Sequence, residues 1–396
     1  MRLSSEQEDL RAAVRSLIGR TAAAGKPAAD PAAQHLWQRL CGEIGVAGLL
    51  IPERYGGAGG APVEVAVVME ELGRAVAPAP MLGSAVLATS ALLACGDQAA
   101  RDRLLPGLAS GSQLAALAWT TAAGHWDPAE VACTAARPAG RDGAGPSPSG
   151  DGPDASASRD DSGWLISGEA RYVLDGDQAS VLLVPARMAA GDVSLFEVGP
   201  AQPEVIRHVC TTVDQTRGLA TVRLTGAAGR RIGGPVRLAA VRDAACVALA
   251  AEQAGAAAGA LAQTVAYAKA RVQFGVPIGS FQALQHRMAE MHVLAESARS
   301  LAYAAAAAAA AEAGGAGAPG AGRDQPELAL RAAAAKAYCS EALQQVSAEM
   351  IQLHGAIGMT WEHDAHRYFK RAASAAMLFG PPARHVDRIA AAVVDR

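Results

Sequence analysis

Apolar residues recur at three- and four-residue intervals over the first 113 residues, with glycine or proline breaking the rhythm between runs. Ser5 with Glu8 three residues on reads as a capping box, and Leu10, Val14 and Leu17 continue one helical stripe behind it. Residues 35–60 read as a helix closed by a glycine-rich turn, and 63–78 and 84–111 repeat the helix-and-breaker pattern. Near residue 114 the texture changes to short apolar runs bounded by Gly, Asp and Pro. The runs at 114–121, 163–176, 180–187, 193–199 and 220–226 predict strands of a small antiparallel unit. The low-complexity stretch at 137–163 predicts a mobile insertion.

From Val236 the helical period returns in long runs, joined by a Gly-rich linker at 314–327 and broken late by Gly380-Pro381-Pro382. The expected fold is mainly α with a small β domain: an N-terminal helical domain (1–113), a middle antiparallel β domain (114–233) and a C-terminal four-helix bundle (234–396).

Composition narrows the class. Apolar residues make up 51% of the 396, but aromatic residues only 4%, so Ala, Leu and Val must build the core. A net charge of −3 gives no reason to expect nucleic acid or an anionic membrane as partner. The six cysteines are dispersed without a CxxC pair, which argues against a disulfide framework or zinc knuckle and for a reducing, cytoplasmic setting. The charged, amphipathic N-terminus is no secretory signal, and no uninterrupted apolar run of about 20 residues predicts a membrane span.

The chemistry concentrates in RVQFGVPIGSFQALQHRMAEM, residues 271–291. Arg271 is expected in the last turn of a helix that Gly275 ends, with Pro277 preventing resumption and Ser280 capping the next helix. Arg271 and Phe274 would then project together, either to grip a phosphate and cover a flat ring, or as a helix-capping Arg beside a core Phe.

This stretch resembles the acyl-CoA dehydrogenase family, whose bundle signature is Y-x-x-x-R-x-x-F-G-x-P-[IL], then FQ, then a helix reading LA-x-M. Tyr267, Arg271, Phe274, Gly275, Pro277, Ile278, Phe281, Gln282, Met288, Ala289 and Met291 match it. A second signature, Q-x-x-G-G-x-G, is matched at Gln352, Gly355 and Gly358. The helical–β–helical order agrees too, so the resemblance covers essentially the whole chain. It implies FAD as cofactor, an acyl-CoA or acyl-carrier thioester as substrate, a homo- or hetero-oligomer with another family subunit, and electron-transfer flavoprotein as redox partner. It further implies that Arg271 neutralises the FAD pyrophosphate of a neighbouring subunit, that Phe274 packs on the cofactor, and that Gln282 bonds near its adenosine. Gln352, Gly355 and Gly358 would let backbone approach the pyrophosphate and ribose.

The family reaction is α,β-desaturation, in which a desolvated carboxylate removes the α-proton. The usual glutamate position is occupied by Phe379. A minority position in the first bundle helix is Ala245, and the nearby Asp243 is the weak alternative base, about 200° around the helix from it. Glu252, two turns on, fares no better. The family's T-E-P-x-x-G-S-D flavin loop is reduced to WTTAAGHWD at 119–127. Its W-[IV]-[ST] is Tyr172-Val173-Leu174, and the Thr after Glu-Gly is Pro381.

Three readings follow: a dehydrogenase subunit, a non-catalytic partner that completes the FAD site of a catalytic subunit in an α2β2 heteromer, and a same-fold flavin monooxygenase. His363 and His366 lack the ligands for a metal site, so no metal is expected. His354 stands inside the glycine motif, against the cofactor or as a packed structural histidine.

Overall fold

The computed structural model describes residues 2–121, 123–138, 163–314 and 326–394. The expected insertion at 137–163 and the linker after Gly314 fall largely outside these ranges. Five helices open the chain: α1 (Ser5–Arg20), α2 (Pro31–Arg39), α3 (Pro62–Arg74), α4 (Thr89–Ala94) and α5 (Gln98–Ala109), with a π-helical turn at Met81–Ala88 leading into α4. The cap of α1 lies one residue earlier than expected. Ser4 accepts from Gln7 N, and the Gln7 side chain returns to Ser4 N at 3.0 Å. The reciprocal pair therefore uses a glutamine, and Ser5 and Glu8 fall inside the first turns.

Seven strands follow: β1 (Ala115–Leu117), β2 (Cys133–Ala136), β3 (Trp164–Leu174), β4 (Val181–Met188), β5 (Val193–Val198), β6 (Val205–Val209) and β7 (Leu219–Pro235). The circuit β4-β2-β3-β7-β5 closes back on β4, with β1 added to β4 and β6 to β7. Closure leaves few unpaired edges around a core that includes Ile166, Val184, Phe196 and Val222. The unit is mixed and not purely antiparallel as expected, because β1 and β2 both run parallel to β4. β2 and β6 escaped the sequence reading because each is only four or five residues long with no apolar run. The β3–β7 register slips between Ala170 and Val173. This bulge carries Tyr172, whose φ is +55°, and turns it toward solvent.

The remainder is α6 (Leu238–Ala270), a short hairpin of β8 (Val272–Gln273) and β9 (Val276–Pro277), α7 (Gln282–Gly314), α8 (Pro326–His354), α9 (Ala365–Met377) and α10 (Pro382–Val394). By length and composition alone, α6 is long and apolar enough to cross a membrane. However, 83% of its apolar window is buried inside the protein, as befits the central helix of a bundle. Glycine explains how α3 reaches it. A Cβ on Gly73 would lie 1.9 Å from the Glu252 carbonyl oxygen, and one on Gly255 would lie 1.9 Å from that of Glu70. The two helices touch backbone to backbone, which fixes the N-terminal domain to the bundle.

Candidate functional site

The 271–282 stretch forms a projecting limb. α6 stops at Ala270 and Arg271 is extended, its N–H bonded to the Tyr267 carbonyl at 2.8 Å. Val272 pairs with Pro277 and Gln273 with Val276. The two residues between them, Phe274 and Gly275, have φ of +54° and +80°. Positive φ at both central positions is the geometry of a type I′ hairpin turn. Arg271 and Phe274 therefore do not share a helix end, and Gly275 serves a turn, not a helix stop. Ser280 does not cap the next helix either. Its hydroxyl bonds the Pro277 carbonyl at 2.7 Å, and Phe281 O receives the first amides of α7. Arg271 and Gln282 are exposed, and Phe274 is 94% exposed with the Phe281 ring beside it, centroids 6.2 Å apart.

The second signature lies against the root of this limb. Tyr267 stacks on His354 at 4.4 Å and donates to the His354 carbonyl at 3.3 Å. His354 Nδ1–H donates to Met350 O at 2.7 Å, leaving Nε2 buried without a partner among the described residues. Burial holds its pKa below the usual histidine value. His354 is thus a packed structural residue. Gln352 is exposed on the last turn of α8. Gly355 has φ +64°, the left-handed cap of that helix. Gly358 is buried, and a Cβ there would press on the Ile351 carbonyl at 3.0 Å. Gly355 leaves open space where a Cβ would stand, whereas Gly358 is pressed by the chain's own backbone.

The position expected for a base is closed off. α9 ends at Met377, and Phe379 follows with φ +59° and 1% exposure. Its ring meets Trp126 at 4.8 Å, and Trp126 meets Trp119 at 5.8 Å, each pair edge to face. The backbone is held from behind. The wholly buried Lys336 donates to Ala376 O at 3.0 Å, and His385 Nε2–H donates to Phe379 O at 3.2 Å. Burial first, then the cations Lys336, Arg388 and Arg242, push the His385 pKa down to about 3, so its ring is neutral. Burial likewise lowers Lys336 to about 8.

Neither alternative carboxylate is free. Asp243 is paired with Arg388 at 2.8 Å and Arg242 at 3.1 Å. That places it in an ion-pair cluster. Glu252 is paired with Arg217 and, at 2.7 Å, with Arg371. Leu174 is buried in the same apolar cluster as Phe379 and both tryptophans. His363 Nδ1 accepts the Ala365 amide at 3.1 Å, and His366 packs on Trp361. Among the described residues, no three His, Cys, Asp or Glu side chains come together as metal ligands.

Comparison with known proteins matches residues 4–112 to the acyl-CoA dehydrogenase N-terminal domain and 210–394 to the acyl-CoA dehydrogenase C-terminal domain. The chain belongs to the acyl-CoA dehydrogenase family. It is 35% identical to acyl-CoA dehydrogenase IpdE2 of Mycolicibacterium smegmatis over 99% of this chain and all of that one. It is 37% identical to IpdE2 of Mycobacterium tuberculosis over 97% and 96% of the two chains. A solved structure described as a variant of the Tcur3481-Tcur3483 steroid ACAD is 28% identical, with a TM-score of 0.79 over 98% of each chain. These matches make the protein an oxidoreductase of this family.

Sequence reasoning missed one buried carboxylate altogether. Asp175, in the turn after β3, is 7% exposed, and burial raises its pKa to about 7. In the sequence it reads only as a turn residue of Leu-Asp-Gly-Asp. Its burial depends on Gly83, where a Cβ would stand 2.2 Å from Asp175 Oδ2.

Proposed function

We propose that this chain is the cofactor-completing subunit of a heteromeric, FAD-dependent acyl-CoA dehydrogenase. FAD fits one half of what the chain presents. Arg271 supplies an exposed guanidinium suited to a pyrophosphate, Phe274 offers an uncovered ring, and Gln282 and Gln352 are exposed amides at the same end of the bundle. The flavin-ring half does not fit. Trp119, Trp126 and Phe379 fill it, and Leu174 brings no hydroxyl. FAD supplies hydride acceptance when bound, and a catalytic partner supplies the carboxylate that takes the α-proton of the acyl-CoA.

The observation that carries this reading is the contrast between the two ends. The part a subunit lends to its neighbour projects bare into solvent, while the part it would keep is packed shut. Met359, Trp361 and Phe369 are also exposed beyond the glycine turn, and apolar exposure of this kind calls for a partner surface. The name of the 28%-identical steroid ACAD structure has two components, which is consistent with a paired assembly. A same-fold monooxygenase would need the flavin-ring pocket that the aromatic side chains occupy here.

The test is acyl-CoA turnover by the lone chain, by a neighbouring-gene partner, and by the two co-purified. Activity only from the pair supports the proposal. Turnover by the lone chain refutes it.

A further inference from the structure

A cavity of about 700 Å³ lies between α2, the 77–82 segment, the β3–β4 connection and the 216–218 loop. None of Trp119, Trp126, Phe379 and the 271–282 limb lines it, although its wall residues Trp37, Met69, Leu72, Met81 and Leu82 belong to the same apolar core as those three rings. Leu174 belongs to that aromatic cluster's apolar core, whereas the next residue, Asp175, lines the cavity.

Its size falls within the range of roughly 300–1,000 Å³ that holds small organic ligands. Trp37, Met69, Leu72, Met81 and Leu82 provide apolar wall. Arg217, Arg371 and Glu252 also line it, but their charges are matched among themselves and with Asp214, whose Oδ2 is 2.9 Å from Arg371 Nε. Asp175 feels both arginines but is hydrogen-bonded to neither. Among the described residues its carboxylate accepts no hydrogen bond, although the side chain is more than nine-tenths buried. At Gly218, the point a Cβ would occupy is 3.4 Å from Asp175 Oδ1 and 3.5 Å from Asp177 Oδ1, and the latter atom is itself buried without a partner. Two acceptors thus lie at this cavity without a hydrogen bond from any described residue. Leaving the buried Asp177 Oδ1 so costs on the order of 1–3 kcal/mol. A ligand hydroxyl would remove that cost.

We propose that this cavity is a second small-molecule site, taking a ligand with an apolar ring body that presents a hydroxyl to Asp175. The apolar body lies against Trp37 and Leu72, and the hydroxyl supplies the donor that the carboxylate lacks. The reading goes beyond the cofactor-completing role and does not depend on it.

The experiment uses the full chain with 2-naphthol, and with 2-methoxynaphthalene as the probe whose donor is methylated, followed by saturation-transfer NMR and equilibrium dialysis. Saturable binding of 2-naphthol is expected, at least tenfold tighter than the ether. Asp175→Ala should erase that difference. Ala79→Phe, which fills the cavity from a half-buried wall position, should abolish binding of both. Should either variant misfold, Gln34→Trp at the exposed mouth replaces it, and the contrast between the probes on wild type stands alone. Equal affinity for both probes, no saturable binding, or binding untouched by these changes would overturn the proposal.

Discussion

Phe379 and Trp126 pack edge to face, with ring centroids 4.8 Å apart and planes at 71°, where the family's reaction calls for a carboxylate. Both rings belong to the buried apolar core. Phe379 keeps the left-handed backbone of this turn, φ +59°, although bulky side chains disfavour it by roughly 1–2 kcal/mol. Lys336 and His385 hold the carbonyls of Ala376 and Phe379 that frame the turn.

If that packing is structural, Phe379→Ala should destabilise the lone chain by about 3–5 kcal/mol in denaturant unfolding. Trp126→Ala should cost a similar amount. The double variant should fall short of the sum by about 1 kcal/mol, the coupling expected of an aromatic pair. Additive losses would show that the rings do not depend on each other.

Phe274→Asn separates the limb's two roles. Asn-Gly is the favoured type I′ pair, so the lone chain should be as stable as wild type or better by up to about 1 kcal/mol. The co-purified assembly should nevertheless lose flavin on gel filtration. Arg271→Met should cause a larger loss, more than tenfold in retained flavin, again without changing the melting temperature of the lone chain. Absorbance at the flavin band reads both.

Asp175 makes stability depend on pH in a set direction. Burial raises its pKa from 3.8 to about 7 in the folded chain. The native state therefore holds this proton more tightly than the unfolded state, and its contribution is complete below about pH 4. It is lost as pH rises through about 7. Asp175→Asn removes the dependence. Its unfolding free energy relative to wild type should move in the variant's favour by on the order of 3 kcal/mol between about pH 4.5 and about pH 8. A difference independent of pH would mean that Asp175 is ionised throughout.

Much of the architecture was legible because helical period and Ala-rich composition persist over long segments such as α6 and α8. The family signature located the limb but not its form. Tyr267, Arg271 and Phe274 keep a helical spacing, and nothing local reveals that Val272 and Pro277 pair across a turn. Phe for Glu at 379 was visible as a substitution, yet its contact with Trp126 depends on residues far apart in sequence. The Ile351 carbonyl that crowds Gly358 appears only when α8 is followed by its terminal turn. Asp175 was silent for the same reason: turn residues are ordinarily exposed, and only Gly83 makes room to bury this one.

The number of flavins per chain tests the account most directly. Co-purified with its catalytic partner, the protein should carry one FAD for each pair of unlike chains, and alone it should carry essentially none. One FAD per chain in the assembly, or a full flavin spectrum on the isolated chain, would contradict the account.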